Sequence, residues 1–577
     1  MSAFDVGRLR MEARHDFVDV LKKIPGPKDL FIDPELMKPL NHVAGAAFIR
    51  EQGVEKMYKL EGTSPAQATN SRIYLARSEI DRCRTLAAHI KKNNDPSWKT
   101  LVAFVPRKTA ACETYLEEEG LYGRIQTTEW HLDLIPIDDD LLSLELKSFY
   151  RRVFVDRDQT WLHDVAFSLT KIQQLFGPIS TFYAVGEMSK KIDRMVDVMT
   201  SGMKFFDSTG KSFDTVILVD RKCDLVTPLC SQVVYQGVVD DVFRVESGFV
   251  DFSDQAITGK TGTVTLQMNA TSDPIFAEIR DRHFSSVSAH LGRRVRELDS
   301  SYKRGKGASS VDDMRSFVKE LGGLKQQHRA LALHIGACEA IGKRKSDENF
   351  ERVLATEHAL VENADERRCV DYIEEMIQRQ VSAVTELRLL CLYSQTVGGL
   401  KSKVVDSFRR LFLHSHGYEH MLTFYNLKRA GLLLEGSSGA TKAYSALKRK
   451  LQLVPRLSDQ YDLNEPTDMG YVFSGAYTPI SCRVVESVLR HLGWLGLEEV
   501  TRYMPGGVSA RTAREGAAAG GGGGLKTVLV FFVGGCTYSE VSALRFLGSR
   551  MKIRFVIATT NVVRAESFIS ANFHNRK

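Results

Sequence analysis

Short apolar runs alternate with helix-period stretches along most of the chain. Over residues 30–134 the runs LFID, RIYLA and TLVAFVP are interleaved with helical stretches near 78–94 and 109–120, a rhythm that predicts a parallel α/β domain. A second series begins with a helix over 159–176, a strand near 181–185, a helix through 191–203 and a strand at Val216. It resumes near Pro479 with a helix to Leu492, a strand over 527–533 and another over 553–558. The second α/β domain is therefore split by an insertion. The division that follows is a first α/β domain over 1–136, a second over 137–245 and 466–577 with a flexible loop near 508–525, and a mainly helical third domain over 246–465.

Within the insertion, Ser272-Asp273-Pro274 supplies a cap and a first-turn proline. Ile275, Ile279, Phe284, Val287, Leu291, Val295, Leu298 and Tyr302 then recur mostly at three- and four-residue steps. Ser310 with Asp313 starts a second helix, whose stripe runs from Val311 through Met314, Val318 and Leu331 to Ile335. Arg304-Gly305-Lys306-Gly307 makes a tip between them. The two pair as an antiparallel hairpin within 273–340, about 28 residues per arm and a rod of ~40 Å at ~1.5 Å per residue. Pattern alone leaves open whether this hairpin projects or is an ordinary buried pair. Between Arg280 and Lys306 lie eight basic residues against three acidic ones, most of the whole chain's net charge of +7. Such a run is ordinarily a solvated face.

Further on, in FRRLFLHSHGYEHMLTFYNLKRAGLL from Phe408, Tyr418, Met421 and Tyr425 fall at i, i+3 and i+7, with Arg409 nearby as a polar anchor. These residue types are enriched in interface cores. A stripe facing the protein's own core is the alternative.

The segment TVILVDRKCDLVTPLCSQVVYQGVVDDVF from Thr215 carries the most specific chemistry. Its continuous apolar start is the pattern of a strand covered on both faces, and charge begins where the strand ends, with Asp220, Arg221 and Asp224, then Pro228. Ligand sites gather at the carboxyl ends of such strands. The competing reading is a structural lock, in which Arg221 satisfies both flanking aspartates and leaves no reactive group over.

Asp-Arg-x-x-Asp-x-x-Thr-Pro after a buried strand resembles the signature of the SM (Sec/Munc) family. The segments IDPELMKPLNHVAG from Ile32, FVPRKTAACETYLEEEG from Phe104, DLIPIDDDLLSLEL from Asp133, TDMGYVFSGAYTPISCR from Thr467 and VFFVGGCTYSEVSALRFL from Val530 are similar to its vacuolar protein sorting-associated protein 33 branch. The likeness covers nearly the whole chain, and the alanine and glycine run at 517–524 departs from it. It implies an arch of two parallel-sheet α/β domains and a helical third. The implied function is that of a SNARE-binding, SNARE-assembly subunit of the HOPS and CORVET tethering complexes, promoting fusion at late endosomes and the lysosome or vacuole. No catalytic residue, metal or cofactor comes with that role. SNARE helices would meet the hairpin at Arg280, Arg293, Arg294, Arg296 and Lys303. Vacuolar protein sorting-associated protein 16 would dock within 348–460, at Arg409, Tyr418 and Met421.

Composition narrows the rivals. At 577 residues, 43% hydrophobic and 26% charged, the chain reads as three or four soluble domains. Nine cysteines without a C-x-x-C pair predict reduced thiols in the cytoplasm. The opening MSAFDVGRLRMEARHDF lacks an apolar signal core, so membrane contact would come through partners. No aromatic RNA-binding motif accompanies the modest positive charge, which argues against nucleic acid. His416 and His420 have i, i+4 metal spacing, but Gly417 interrupts them and no third ligand has a place. Glycines in Val533-Gly534-Gly535-Cys536-Thr537 could cradle an anion, or could serve close packing of a strand on a helix.

The rival class is a cytosolic α/β hydrolase or nucleotide-dependent enzyme. It lacks a G-x-S-x-G elbow, and the Gly-Lys-Ser/Thr triplets at Gly210 and Gly259 have Phe205 and Asp254 where a phosphate loop needs glycine. Calorimetric titration of ATP or GTP into the purified protein is expected to give no saturable heat at micromolar nucleotide.

Overall fold

A computed structural model describes residues 4–61, 69–92, 98–203, 212–253, 255–258, 262–306, 311–436, 441–455, 462–512 and 526–573. The chain forms two compact units: Ala3–Ile137 with Leu142–Glu145, and Asp138–Leu141 with Leu146–Lys577. Most of both Gly-Lys-Ser/Thr triplets, Gly307 and the glycine-rich run lie outside the described residues, while the expected hairpin tip at 304–307 is helical through Lys306.

In the first unit five parallel strands lie in the order Val54–Lys59, Lys28–Ile32, Ser71–Arg77, Lys99–Val105, Gln126–Glu129. Because side chains alternate across a sheet, Leu30, Ile73, Leu75 and Leu101 face one layer with helix Val6–Lys22 and Trp130. Phe31, Tyr74, Val102 and Phe104 face the other, against helices Ile80–Lys92 and Ala110–Glu118. The fully buried Trp130 still satisfies its indole N–H, which donates to the Ala13 carbonyl at 3.1 Å. The edge strands VEKMYK and QTTE are polar, as edges facing water tend to be, so no apolar run announces them.

The sheet of the second unit draws on both sides of the helical insertion. Within this unit five strands run in the order Val508–Thr512, Thr181–Val185, Thr215–Asp220, Lys526–Val533, Ile553–Thr559, and these are parallel except for the antiparallel edge strand Val508–Thr512. That edge corrects the expected loop at 508–525, whose first five residues are strand. Arg511 fixes it by donating to Asp193 at 2.7 Å and Asp197 at 3.1 Å, and the Trp494 indole donates to the Ser509 carbonyl at 2.8 Å.

The first arm of the hairpin is not one helix. It breaks into Pro274–Ile279 and Phe284–Lys306, because backbone groups between them pair with the segment following Pro228. The Gln236 amide donates to the Arg280 carbonyl at 3.1 Å, the Tyr235 amide to the Arg282 carbonyl at 2.9 Å, and the Phe284 amide to the Val233 carbonyl at 2.8 Å. Residues so engaged cannot continue a helical ladder. The second arm, Val311–Lys345, has 35 residues against 23 in Phe284–Lys306, or ~52 Å against ~34 Å. At the base, Ile275, Phe276, Val287, Leu291 and Ile341 are buried with Tyr235 and Val238. Val295, expected in the buried stripe, is exposed. The insertion also holds an unexpected antiparallel ribbon, Phe249–Phe252 with Val264–Gln267. Among the described residues no helix is long and apolar enough to cross a membrane.

Candidate partner-binding site

The signature segment is interior. Strand Thr215–Asp220 is buried throughout, and Arg221, which follows it, is 1% exposed. Its guanidinium does not span the two flanking aspartates. It makes a two-pronged pair with Glu540, at 2.8 and 2.9 Å, donates to the carbonyls of Asp224 at 2.8 Å and Gly535 at 3.1 Å, and stands 3.6 Å from the Asp224 carboxylate. Burial alone would lower its pKa, but Glu540 and Asp224 more than offset it and hold the cation firmly charged.

Asp220 faces away, because the chain turns into a short 3-10 helix at Arg221. Its carboxylate accepts from the Met188 amide at 2.9 Å and from the Ser189 amide and hydroxyl at 2.7 and 2.6 Å, capping the helix that starts at Glu187. Burial pushes its pKa up to about 6 against those three donors. Asp224 accepts from the Thr227 amide and hydroxyl and the Ser481 amide, while Pro228 lies buried in the short helix Thr227–Leu229. Every charged group of the motif is thus consumed by internal bonds.

The glycines around this lock serve contact. Gly186 has φ +103°, and a Cβ there would stand 2.3 Å from the Asp220 carboxyl. Gly534 has φ +105°, with the Phe154 ring and Arg221 Cβ under 3.0 Å from the place of its absent side chain. The Gly534 amide donates to the Thr560 hydroxyl at 3.1 Å and the Cys536 amide to the Asn561 carbonyl at 3.1 Å, so neither is offered to an anion. Glu540, which the sequence reading missed, sits in a signal that sequence does carry. Thr537 and Glu540 form a capping box, the Thr537 amide donating to Glu540 at 2.9 Å and the Glu540 amide to the Thr537 hydroxyl at 3.2 Å.

The basic residues of the hairpin separate into two groups. Arg280 caps helix Pro274–Ile279, and its side chain is only 16% exposed, paired with Asp138 beside Asp281 and Asp140. Arg545 completes that cluster, donating to Asp140 at 2.7 Å and Asp281 at 3.0 Å. Arg294 is held by Glu278 at 3.1 Å and Glu297 at 2.6 Å. Arg293, Arg296 and Lys303 are exposed along Phe284–Lys306. Arg293 donates to His290, and Lys303 pairs with Asp299 one turn away.

The stripe from Phe408 does not face the core. Helix Ser402–His416 ends at Gly417 with φ +107°, and a short turn, Tyr418–His420, leads into helix Met421–Ala430. Phe424 and Leu427 turn inward, leaving Tyr418 64%, Met421 54%, Leu422 47% and Tyr425 57% exposed. Leu422 was not singled out from sequence, because an i, i+3, i+7 rule skips it. Arg409 is bonded to Asp406 at 2.7 Å, and His416 to Glu386 at 2.6 Å.

The Sec1 family model matches residues 28–571. Vacuolar protein sorting-associated protein 33B of Mus musculus is 40% identical over 98% of this chain and 97% of its own. Protein 33A of Rattus norvegicus is 32% identical over 98% and 97%, and the Arabidopsis thaliana homolog 31% over 97% and 96%. Among solved structures, the Unc18-syntaxin 1 complex from Monosiga brevicollis matches 98% of each chain with a TM-score of 0.61 at 15% identity. The SM protein Vps45 in complex with the Qa SNARE Tlg2 matches 99% of this chain and 98% of its own, with a TM-score of 0.59 at 15% identity. Those two carry the fold alone.

Glu540→Gln strands the Arg221 cation in the interior and is expected to cost ~3–5 kcal/mol. Pairing Arg221→Met with Glu540→Leu removes both charges and should recover much of that loss. Denaturant midpoints of wild type, single and double variants provide the measurement.

Proposed function

The chain belongs to the Sec1 family, in its vacuolar protein sorting-associated protein 33 branch, and from that premise we propose that it binds SNARE helices as a subunit of a membrane tethering complex of the HOPS or CORVET type. Its place of action would be the cytoplasmic face of late endosomes and the lysosome or vacuole, reached through partners. The observation that carries the reading is a match over 98% of the chain, at 40% identity, to relatives named for vacuolar protein sorting. A fold shared with an SM protein solved with a Qa SNARE supports the SNARE side. The chain is not an enzyme.

The mechanism is one of templating. SNARE segments lose conformational entropy when they zipper, and a protein that holds helices in register takes up that ordering before the bundle forms. A face carrying Arg293, Arg296 and Lys303 steers acidic helices and sets their orientation without deep pockets. Arg280 and Arg294, already paired within the protein, support that face rather than meet a partner. The patch of Tyr418, Met421, Leu422 and Tyr425, with Arg409 nearby, is the proposed docking surface for vacuolar protein sorting-associated protein 16.

Reversing Arg293 and Arg296 to Glu should weaken binding of a soluble lysosomal SNARE by about 2- to 30-fold at low salt. The loss should shrink at high salt. Equal affinities at low salt would remove this face from the reading.

Tyr418→Asp with Met421→Lys should abolish capture of vacuolar protein sorting-associated protein 16, while circular dichroism and the thermal midpoint stay those of wild type. In affinity purification from cytosol, recovery of large tethering subunits with the wild type and their loss with this variant is the expected pair of results.

A further inference from the structure

Ser231 and Gln232, just past Pro228 of the signature motif, line a cavity of about 680 Å³ in the second unit. Val353, Met376 and Val384 give it an apolar wall, and the end of helix Val311–Lys345 brings Lys343, Arg344 and Lys345 to it. Lysines and arginines in a last helical turn need no special account, since they complement the helix dipole. Lys345 does. It is half-buried, its ammonium over the Phe284 ring at 4.7 Å and the Phe350 ring at 5.4 Å. Among the described residues no carboxylate comes within 4 Å of it. Burial pulls its pKa down to about 8, opposed by the more distant Asp241.

The other deep cations here are closed. Arg388 is bonded to Glu357 at 2.7 Å and donates to Ser231 and to the Leu229 carbonyl. Arg564 has Asp240 at 3.5 Å and Glu566 at 3.6 Å. An ammonium drawn from water and held by two rings keeps only part of what it gave up. An anion entering the cavity would supply the missing partner at short range. The volume is that of a small-molecule site, and eight apolar side chains share its lining with polar ones, among which five cations outnumber the carboxylates of Asp241, Asp347 and Glu566.

We propose that this cavity binds a small amphipathic anion, a carboxylate or phosphate on an apolar body, with the head on Lys345 and the body against Val353, Met376 and Val384. The cavity lies at the base of the hairpin, and its lining includes none of Arg293, Arg296, Lys303, Tyr418, Met421, Leu422 or Tyr425.

Calorimetric titration of the full chain with octyl phosphate and with octanoate tests it, beside inorganic phosphate and 1-octanol. At least one amphiphile should bind saturably at one per chain, and which one does so tells phosphate from carboxylate. Phosphate and octanol alone should bind at least tenfold more weakly. Lys345→Met should weaken the amphiphile at least tenfold while the thermal midpoint holds or rises. Val384→Trp, which crowds the apolar wall and leaves the cations in place, should weaken binding at least tenfold. Absence of saturable binding by both amphiphiles, equal binding of octanol, or wild-type affinity in Lys345→Met would overturn the proposal. Should Lys345→Met melt early, Val384→Trp decides alone, and wild-type affinity there refutes the site.

Discussion

A guanidinium and a carboxylate in the dry interior, Arg221 and Glu540, join stretches of chain 319 residues apart. The first lies at the end of strand Thr215–Asp220 and the second in the opening turn of helix Tyr538–Met551, which follows the neighbouring strand Lys526–Val533. The sheet of the second unit is made from these two stretches, so the pair fastens the loops at the carboxyl ends of its central strands. Arginine suits the position because its planar fork offers two parallel donors to one carboxylate and leaves a third nitrogen for the Asp224 carbonyl. A lysine would meet one of these partners and strand the rest. In the loop that reads most like an active site, Asp220, Arg221 and Asp224 are therefore spent on internal partners, and no reactive group is left over.

Much of the architecture was legible because burial on both faces writes itself as a continuous apolar run. TVILVD and the VLVFFV of the neighbouring strand are such runs, and both lie at the centre of their sheet. Edge strands escaped notice for the converse reason. VEKMYK, QTTE and VSART face water on one side and carry the polar composition of loops. The break at 280–283 was invisible because apolar spacing carries on through it, while the interrupting hydrogen bonds come from residues 233–236. Glu540 was hidden by the same kind of distance, as a capping box announces the start of a helix and is silent about an arginine three hundred residues earlier.

The site residues show how charge counted along a sequence differs from charge on a surface. The basic run at the hairpin contains Arg280 and Arg294, but three-dimensional neighbours from 138–140, 278 and 297 bind them. What remains toward solvent is a narrower face than the tally suggests, so its influence on a charged partner is gentle and salt-sensitive. The apolar stripe shows the reverse. Gly417 ends one helix and allows the next to set off along a new axis, which delivers Phe424 and Leu427 to the interior and leaves Tyr418, Met421 and Leu422 outside.

The split sheet also dictates how the chain must be made. On the ribosome, strand Thr215–Asp220 emerges about 300 residues ahead of Lys526–Val533, the strand that pairs with it on one side. At ~5–20 residues per second that is ~15–60 s in which one edge of a strand destined for full burial has no neighbour. Throughout the interval Arg221 waits without Glu540, and the open edge invites pairing with another nascent chain. Synthesis of this protein should accordingly lean on chaperones that shield strand edges during elongation. Premature termination before residue 526 removes that neighbouring strand altogether and leaves the edge open to pairing with other chains.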